Sequence, residues 1–176
     1  MAALIGVVVS AFLIGLQFAG NFHEVIPGEL YRAAQPSTVQ VERYVRKYGI
    51  RTIVNLRGPS TAQWYVNEVA TGGRLGVKHL DFGMSSSKPF TLARTKELVA
   101  RLRDAPKPIL IHCRSGADRT GLVSLIYLQQ IAGVDEETAE KQLSIRFGHL
   151  GIPLLSSAFA MDESWEALEQ AFGLPS

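Results

Sequence analysis

Residues 109 to 121 read Ile-Leu-Ile-His-Cys-Arg-Ser-Gly-Ala-Asp-Arg-Thr-Gly, and they carry the reactive chemistry of the chain. The apolar run behind Pro108 predicts a short buried strand, and the run from Leu122 to Leu128 predicts a buried helix. A strand, a tight loop and a helix start in this order build an anion site. The first helical turn leaves backbone N–H groups without partners, and the macrodipole adds positive potential there. Gly116 permits a turn that a Cβ would resist. Successive amides from Arg114 through Ser115, Gly116, Ala117 and Asp118 to Arg119 can form a nest around the same anion. The loop opens with the only cysteine of the chain, Cys113, preceded by His112. Thiols at helix N-termini beside cationic groups react as thiolates. Arg119 offers a planar fork for two phosphate oxygens, and the hydroxyl of Thr120 stands where it can hydrogen-bond the sulfur and ease its departure. The pattern predicts that Cys113 attacks phosphorus while the amides and Arg119 hold the equatorial oxygens.

His-Cys-(five residues)-Arg-Thr-Gly resembles the phosphate-binding loop of the cysteine-dependent protein tyrosine and dual-specificity phosphatases. Rhodanese-type sulfurtransferases also open a loop with Cys-Arg-Ser-Gly, but their arginine falls five positions after the cysteine. Here that position is Asp118 and the arginine comes sixth, so the spacing favours the phosphatase. An inert buried cysteine, the common fate of a lone one, explains neither Gly116 nor Arg119. Phe22 to Gln35, FHEVIPGELYRAAQ, resembles the opening of bacterial and fungal atypical dual-specificity phosphatases, and Asn55-Leu56-Arg57 matches the same subgroup. The resemblance implies a bacterial origin, a loop at the C-terminal edge of the sheet, a cysteinyl-phosphate intermediate, and neither metal nor organic cofactor.

Expelling an alkoxide or phenolate from phosphorus requires an acid. Asp81 is the only carboxylate between Glu68 and Glu97 and stands where a predicted strand enters a polar loop. Its interval to Cys113 resembles that of the general-acid aspartate in dual-specificity phosphatases, although the Trp-Pro-Asp form is absent. The competing reading is an aspartate that ends a strand and caps a turn. Arg57, just past another strand end, is expected either to contact a second phosphate or to be a solvated loop arginine. Asp118 resembles the residue found before the arginine in myotubularin-like and some bacterial phosphatases that act on phosphoinositides; it can also salt-bridge within the loop and cap the helix. Two substrate classes therefore stay open, phosphorylated proteins and phosphoinositides or inositol phosphates, beside a non-catalytic phosphate-binding module.

The elements that must position these groups follow from periodicity. Residues 22–35 predict a β-hairpin about a Pro-Gly-Glu turn. Ser37 is expected to cap a helix that Gly49 stops, and Thr91 another running to Arg103. Ile50–Leu56 and Leu75–Phe82 predict strands, and residues 61–71 a helix in which Trp64 is expected in the core. Beyond Gly133, Asp135 caps a helix with Ala139, Leu143, Ile145 and Phe147 as inner positions, and a last helix runs to Phe172. This alternation argues for an α/β fold, a mostly parallel central sheet with helices on both faces.

The chain of 176 residues carries a net charge of only +2 and no Lys/Arg-rich run, which argues against nucleic acid. One cysteine excludes an intramolecular disulfide and a multi-cysteine metal site. His23, His79, His112 and His149 are scattered without ligand-like spacing, so no metal is expected. Ala2 to Gly20 holds no charged side chain. Three readings compete for it: an uncleaved membrane anchor, a signal segment for export to the cell envelope, and a buried soluble helix. The expected division is residues 1–20 as anchor or signal, preceding a catalytic domain over 21–176.

Overall fold

The computed structural model describes residues 2–174; residue 1 and residues 175–176, the outer ends of the two expected segments, lie outside it. An N-terminal helix α1 (Ala2–Phe18) leads into the hairpin β1 (His23–Ile26) and β2 (Leu30–Ala33). Then follow α2 (Thr38–Tyr48), β3 (Thr52–Asn55), α3 (Gln63–Arg74), β4 (Lys78–Asp81), α4 (Leu92–Arg103), β5 (Ile109–His112) and α5 (Asp118–Gln130). A short α6 (Glu136–Glu140) and α7 (Ala160–Phe172) complete the chain. The sheet order is β1-β2-β5-β3-β4, with β1 antiparallel to β2 and every other pair parallel. The strand β5 therefore runs down the middle, buried on both faces as parallel strands are.

Alternation along β5 divides the core. Ile109 and Ile111 face one cluster with Leu98 and Leu102 of α4, Leu122 and Ile126 of α5, and Trp165 and Leu168 of α7. Leu110 faces the other, with Val41 and Tyr44 of α2 and Ile53 of β3. Helices thus cover both faces, as the strand–helix alternation predicts. Local signals hold at the helix starts as well. Ser37 accepts from the Gln40 amide while the Gln40 side chain accepts from the Ser37 amide, and Thr91 accepts from the Arg94 amide.

The expectation of a bilayer-spanning anchor over residues 2–20 is not met: among the described residues no helix is long and apolar enough to cross a membrane. The 17 residues of α1 rise about 25 Å, short of a hydrocarbon core of about 30 Å. Its end also folds back onto the domain, where Gln17 Nε2 donates to the Ser115 carbonyl at 3.1 Å. A second correction concerns Ile145, expected inside: it is exposed, because α6 stops at Glu140 and the chain turns through a short 3₁₀ segment, Ile145–Phe147, that buries Phe147 instead.

Candidate active site

The loop from Cys113 to Ala117 leaves the C-terminal end of β5 and enters α5, as the sequence predicts. No side chain caps the N-terminus of α5, so its first amides remain free for an anion. The Ala117 amide makes only a long contact, 3.4 Å, to Ser115 Oγ. Gly116 has φ +72, and a Cβ there would lie 2.6 Å from the Ala33 backbone, so only glycine lets the loop press against the end of β2. Cys113 sits buried at the floor, 1 % exposed.

Four guanidiniums meet this loop: Arg32, fully buried in β2, donates from Nη2 to the Gly116 carbonyl at 2.8 Å, and three more gather beside it. Arg119 donates long hydrogen bonds from Nη1 to the Leu56 and Met84 carbonyls, at 3.4 and 3.3 Å, while its buried Nε has no partner among the described residues. Arg57 donates to Gln35 Oε1 at 3.0 Å, and its Cζ lies 3.6 Å from the centroid of the Trp64 ring. Burial and the charges of Arg119 and Arg114 push the Arg57 pKa down, as expected where like charges converge. Arg114 is itself exposed. Unpaired donors and converged cations together suit a group bearing several negative oxygens. Trp64, expected in the core, is instead half-buried beneath Arg57.

Thr120 is fully buried, and its hydroxyl makes no hydrogen bond among the described residues, to the sulfur or to anything else. His112, also fully buried, shares Glu68 Oε1 with His79, at 3.1 and 2.8 Å; Gln35 donates to Glu68 Oε2 at 2.7 Å. Burial would raise the Glu68 pKa, but the hydrogen bonds from His112 and His79 prevail and hold it down at about 2. A buried carboxylate on α3 thus ties the residue before Cys113 to β4 and, through Gln35, to Arg57.

The two carboxylates near the loop are held differently. Asp81 ends β4 in register with Asn55, which is itself in register with His112; its backbone is therefore two strands from the loop, about 10 Å. Both oxygens are engaged, Oδ1 by Asn55 Nδ2 at 2.8 Å and Oδ2 by the Tyr65 hydroxyl at 2.6 Å. That bond to Asp81 pushes the Tyr65 pKa up to about 12, so the phenol stays a donor at neutral pH. Asp118 begins α5 beside Arg119, with Oδ1 bound to His149 Nδ1 at 2.8 Å rather than to a cation of the loop. His149 is buried, and its Nε2 meets Asp162 of α7 at 2.9 Å.

Arg32, Trp64, Glu68 and His149 are thus site residues that motif reading missed. Only Arg32 left a signal, a lone charge inside the apolar run Leu30–Ala34.

A family model described as "Tyrosine phosphatase family" matches residues 14–142. No curated protein sequence matches the chain. Among solved structures, the chain is similar to the P. aeruginosa TpbA cysteine-to-serine variant in complex with phosphotyrosine, with TM-score 0.65 and 20% identity over 88% of this chain and 91% of that one. It is also similar to the core catalytic domain of the S. cerevisiae PP-IP phosphatase SIW14 in complex with citrate, with TM-score 0.62 and 22% identity over 88% and 94% of the two chains. A third similar structure is PTPMT1, with TM-score 0.61 and 16% identity over 86% of this chain and 98% of that one.

Proposed function

The chain belongs to the tyrosine phosphatase family, and from that premise we propose that this cysteine-based phosphatase acts on phosphotyrosine or dual-specificity protein substrates through a cysteinyl-phosphate. Cys113 Sγ forms a bond to phosphorus while the ester P–O bond breaks, and an acid protonates the departing oxygen. Water then gives its proton to that same group, now a base, and attacks phosphorus; the S–P bond breaks, and inorganic phosphate leaves with the thiolate and the acid restored. Arg119 and the loop amides hold the phosphoryl oxygens in both steps, and the unpartnered Thr120 hydroxyl is free to donate to the departing sulfur. The chemistry uses no metal or organic cofactor. One observation carries the reading: a buried cysteine opens a loop that enters an uncapped helix, whose first turn holds an arginine with no partner for its Nε among the described residues.

We assign the acid to Asp81, which must exchange its Tyr65 or Asn55 partner for the leaving oxygen. Asp118 is the second reading, favoured because it is the first residue of α5, directly after the loop, with only Oδ1 engaged among the described residues.

The substrate has a second reading too, a phosphoinositide or inositol phosphate. It is favoured by Arg57 and Arg114 beside Arg119, more positive charge than one phosphate needs. The phosphotyrosine bound to TpbA and the PP-IP description of SIW14 stand behind the two readings respectively. A turnover assay on the full chain with a small aryl phosphate, wild type against Cys113→Ser, tests the enzyme. Equal rates would end the proposal. Phosphopeptides compared with phosphoinositides at matched concentration then choose the substrate.

Envelope association through α1 belongs to the same proposal, supported by the exposure of Val7, Phe12, Ile14 and Phe18 on one charge-free helix. Fractionation of cells that leaves the full chain wholly in the cytoplasmic fraction, with none in the envelope fraction, would remove it.

A further inference from the structure

A peptide unit is planar and trans, so its carbonyl and the following amide point in opposite directions. Three consecutive carbonyls of the phosphate loop are each held from outside by a donor from one short stretch of the N-terminal region, and a fourth, of Ala117, is reached more weakly because it already accepts from the Gly121 amide at 2.7 Å. The Gln35 amide donates to the Arg114 carbonyl at 3.2 Å. Gln17 Nε2 and Asn21 Nδ2 donate to the Ser115 carbonyl at 3.1 and 3.0 Å. Arg32 Nη2 donates to the Gly116 carbonyl at 2.8 Å and reaches the Ala117 carbonyl at 3.3 Å. With these carbonyls drawn outward, the amides of Ser115, Gly116, Ala117 and Asp118 turn inward to the anion position.

Two members of this collar are buried polar side chains that join the loop to the segments around Gln142 and Phe147. Arg32 is fully buried in β2, its Cζ 3.9 Å from the centroid of the Phe147 ring, and its other terminal nitrogen donates to the Gln142 carbonyl and Oε1, both at 2.8 Å. A buried guanidinium is costly unless its donors are used; here the loop takes Nη2 and Gln142 takes Nη1, while Nε has no partner among the described residues. Asn21 is 1 % exposed and holds φ +43, a conformation that residues other than glycine seldom adopt. Its side chain is fully engaged, Nδ2 also donating to the Phe147 carbonyl at 2.8 Å and Oδ1 pairing with His23 Nε2 at 3.0 Å.

We infer that Arg32 and Asn21 are positioning residues for the phosphate loop, acting through its carbonyls to aim its amides at the bound phosphoryl group. The inference rests on the phosphatase reading in that the loop must bind a tetrahedral oxyanion. It goes beyond that reading in assigning the shape of the loop to the segment from the end of α1 to β2.

The test is the binding of inorganic phosphate by the full-length protein, followed by calorimetry well below each variant's melting temperature. Asn21→Gly removes the side chain while suiting the positive φ, so it separates the hydrogen bond from backbone strain. It should weaken phosphate binding by roughly 10-fold, the scale of one lost charge-directed hydrogen bond. Arg32→Met should weaken it further, and Arg32→Lys, which restores a charge and a donor, should recover part of that loss. Wild-type affinity in a folded Asn21→Gly protein overturns the inference, as does an Arg32→Lys protein no better than Arg32→Met. If Arg32→Met fails to fold, Asn21→Gly decides alone. A wild-type protein that neither binds phosphate nor hydrolyses an aryl phosphate defeats the phosphatase reading instead, a separate result.

Discussion

The Arg57 guanidinium lies 3.6 Å from the centroid of the Trp64 ring and donates to Gln35, which in turn donates to Glu68. An arginine braced in this way loses little freedom when it meets an anion. Arg57→Ala should therefore raise KM for an aryl phosphate about 10-fold with a smaller change in kcat, the pattern of lost uniform binding. Trp64→Leu removes a cation–π contact worth about 0.5–1 kcal/mol and should raise KM roughly two- to five-fold. Steady-state kinetics decides, and an unchanged KM in Arg57→Ala would place this arginine outside the substrate site.

The two carboxylates make opposing predictions. If Asp81 is the acid, Asp81→Asn lowers kcat by about 10²–10⁴ with KM little altered, and Asp118→Asn does much less. Reversal of that order transfers the acid to the loop. A substrate with a very good leaving group sharpens the comparison, because it needs no protonation: the rate of the true acid variant should then approach wild type.

What was legible in the sequence was local. Cys113, Gly116, Arg119 and Thr120 fall within one strand, loop and helix start, so their spacing alone points to phosphate chemistry. Ser37 and Thr91 announced their helices because a cap is read within four residues. The support for the loop was not legible, because its members lie far apart in the chain. Glu68 reads as a solvated helix charge until α3 packs it against His79 and His112. Arg32 sits in a strand buried at all four positions, where period-two alternation gives no face. Trp64 was expected in the core because large aromatics usually are, but its partner is an arginine after another strand. The apolar run at the N-terminus suggested a span, and the fold instead turns its end onto Ser115.

Glu68 should make the protein acid-sensitive. Its native pKa of about 2 lies below the ordinary 4.5, so its contribution is present above the unfolded value and is lost as pH falls through the native one. The shift corresponds to about 3 kcal/mol. Glu68→Gln should therefore melt well below wild type at pH 7, and the difference should shrink steadily as pH falls from about 4.5 towards 2. A difference that stays constant with pH would show that the carboxylate charge does not stabilise the fold.

His149 should act with the opposite sign. Burial would lower its pKa, but the Asp118 hydrogen bond and the Asp162 charge outweigh burial and raise it above the ordinary 6.5. A group whose native pKa is raised stabilises the fold fully below its unfolded value, and the contribution disappears as pH rises through the native value. The melting temperature of wild type relative to His149→Gln should therefore be highest below pH 6.5 and decline above it. The same bridge spans from α7 to Asp118, next to Arg119, so its loss should also reach the loop. Phosphate binding by His149→Gln should be weaker than wild type below pH 6.5, and the two should converge as the histidine of the wild type loses its proton. Melting curves and calorimetric titrations across pH 5.5 to about 9 give both comparisons, and parallel profiles in both would show that the native fold does not raise the pKa of this imidazole.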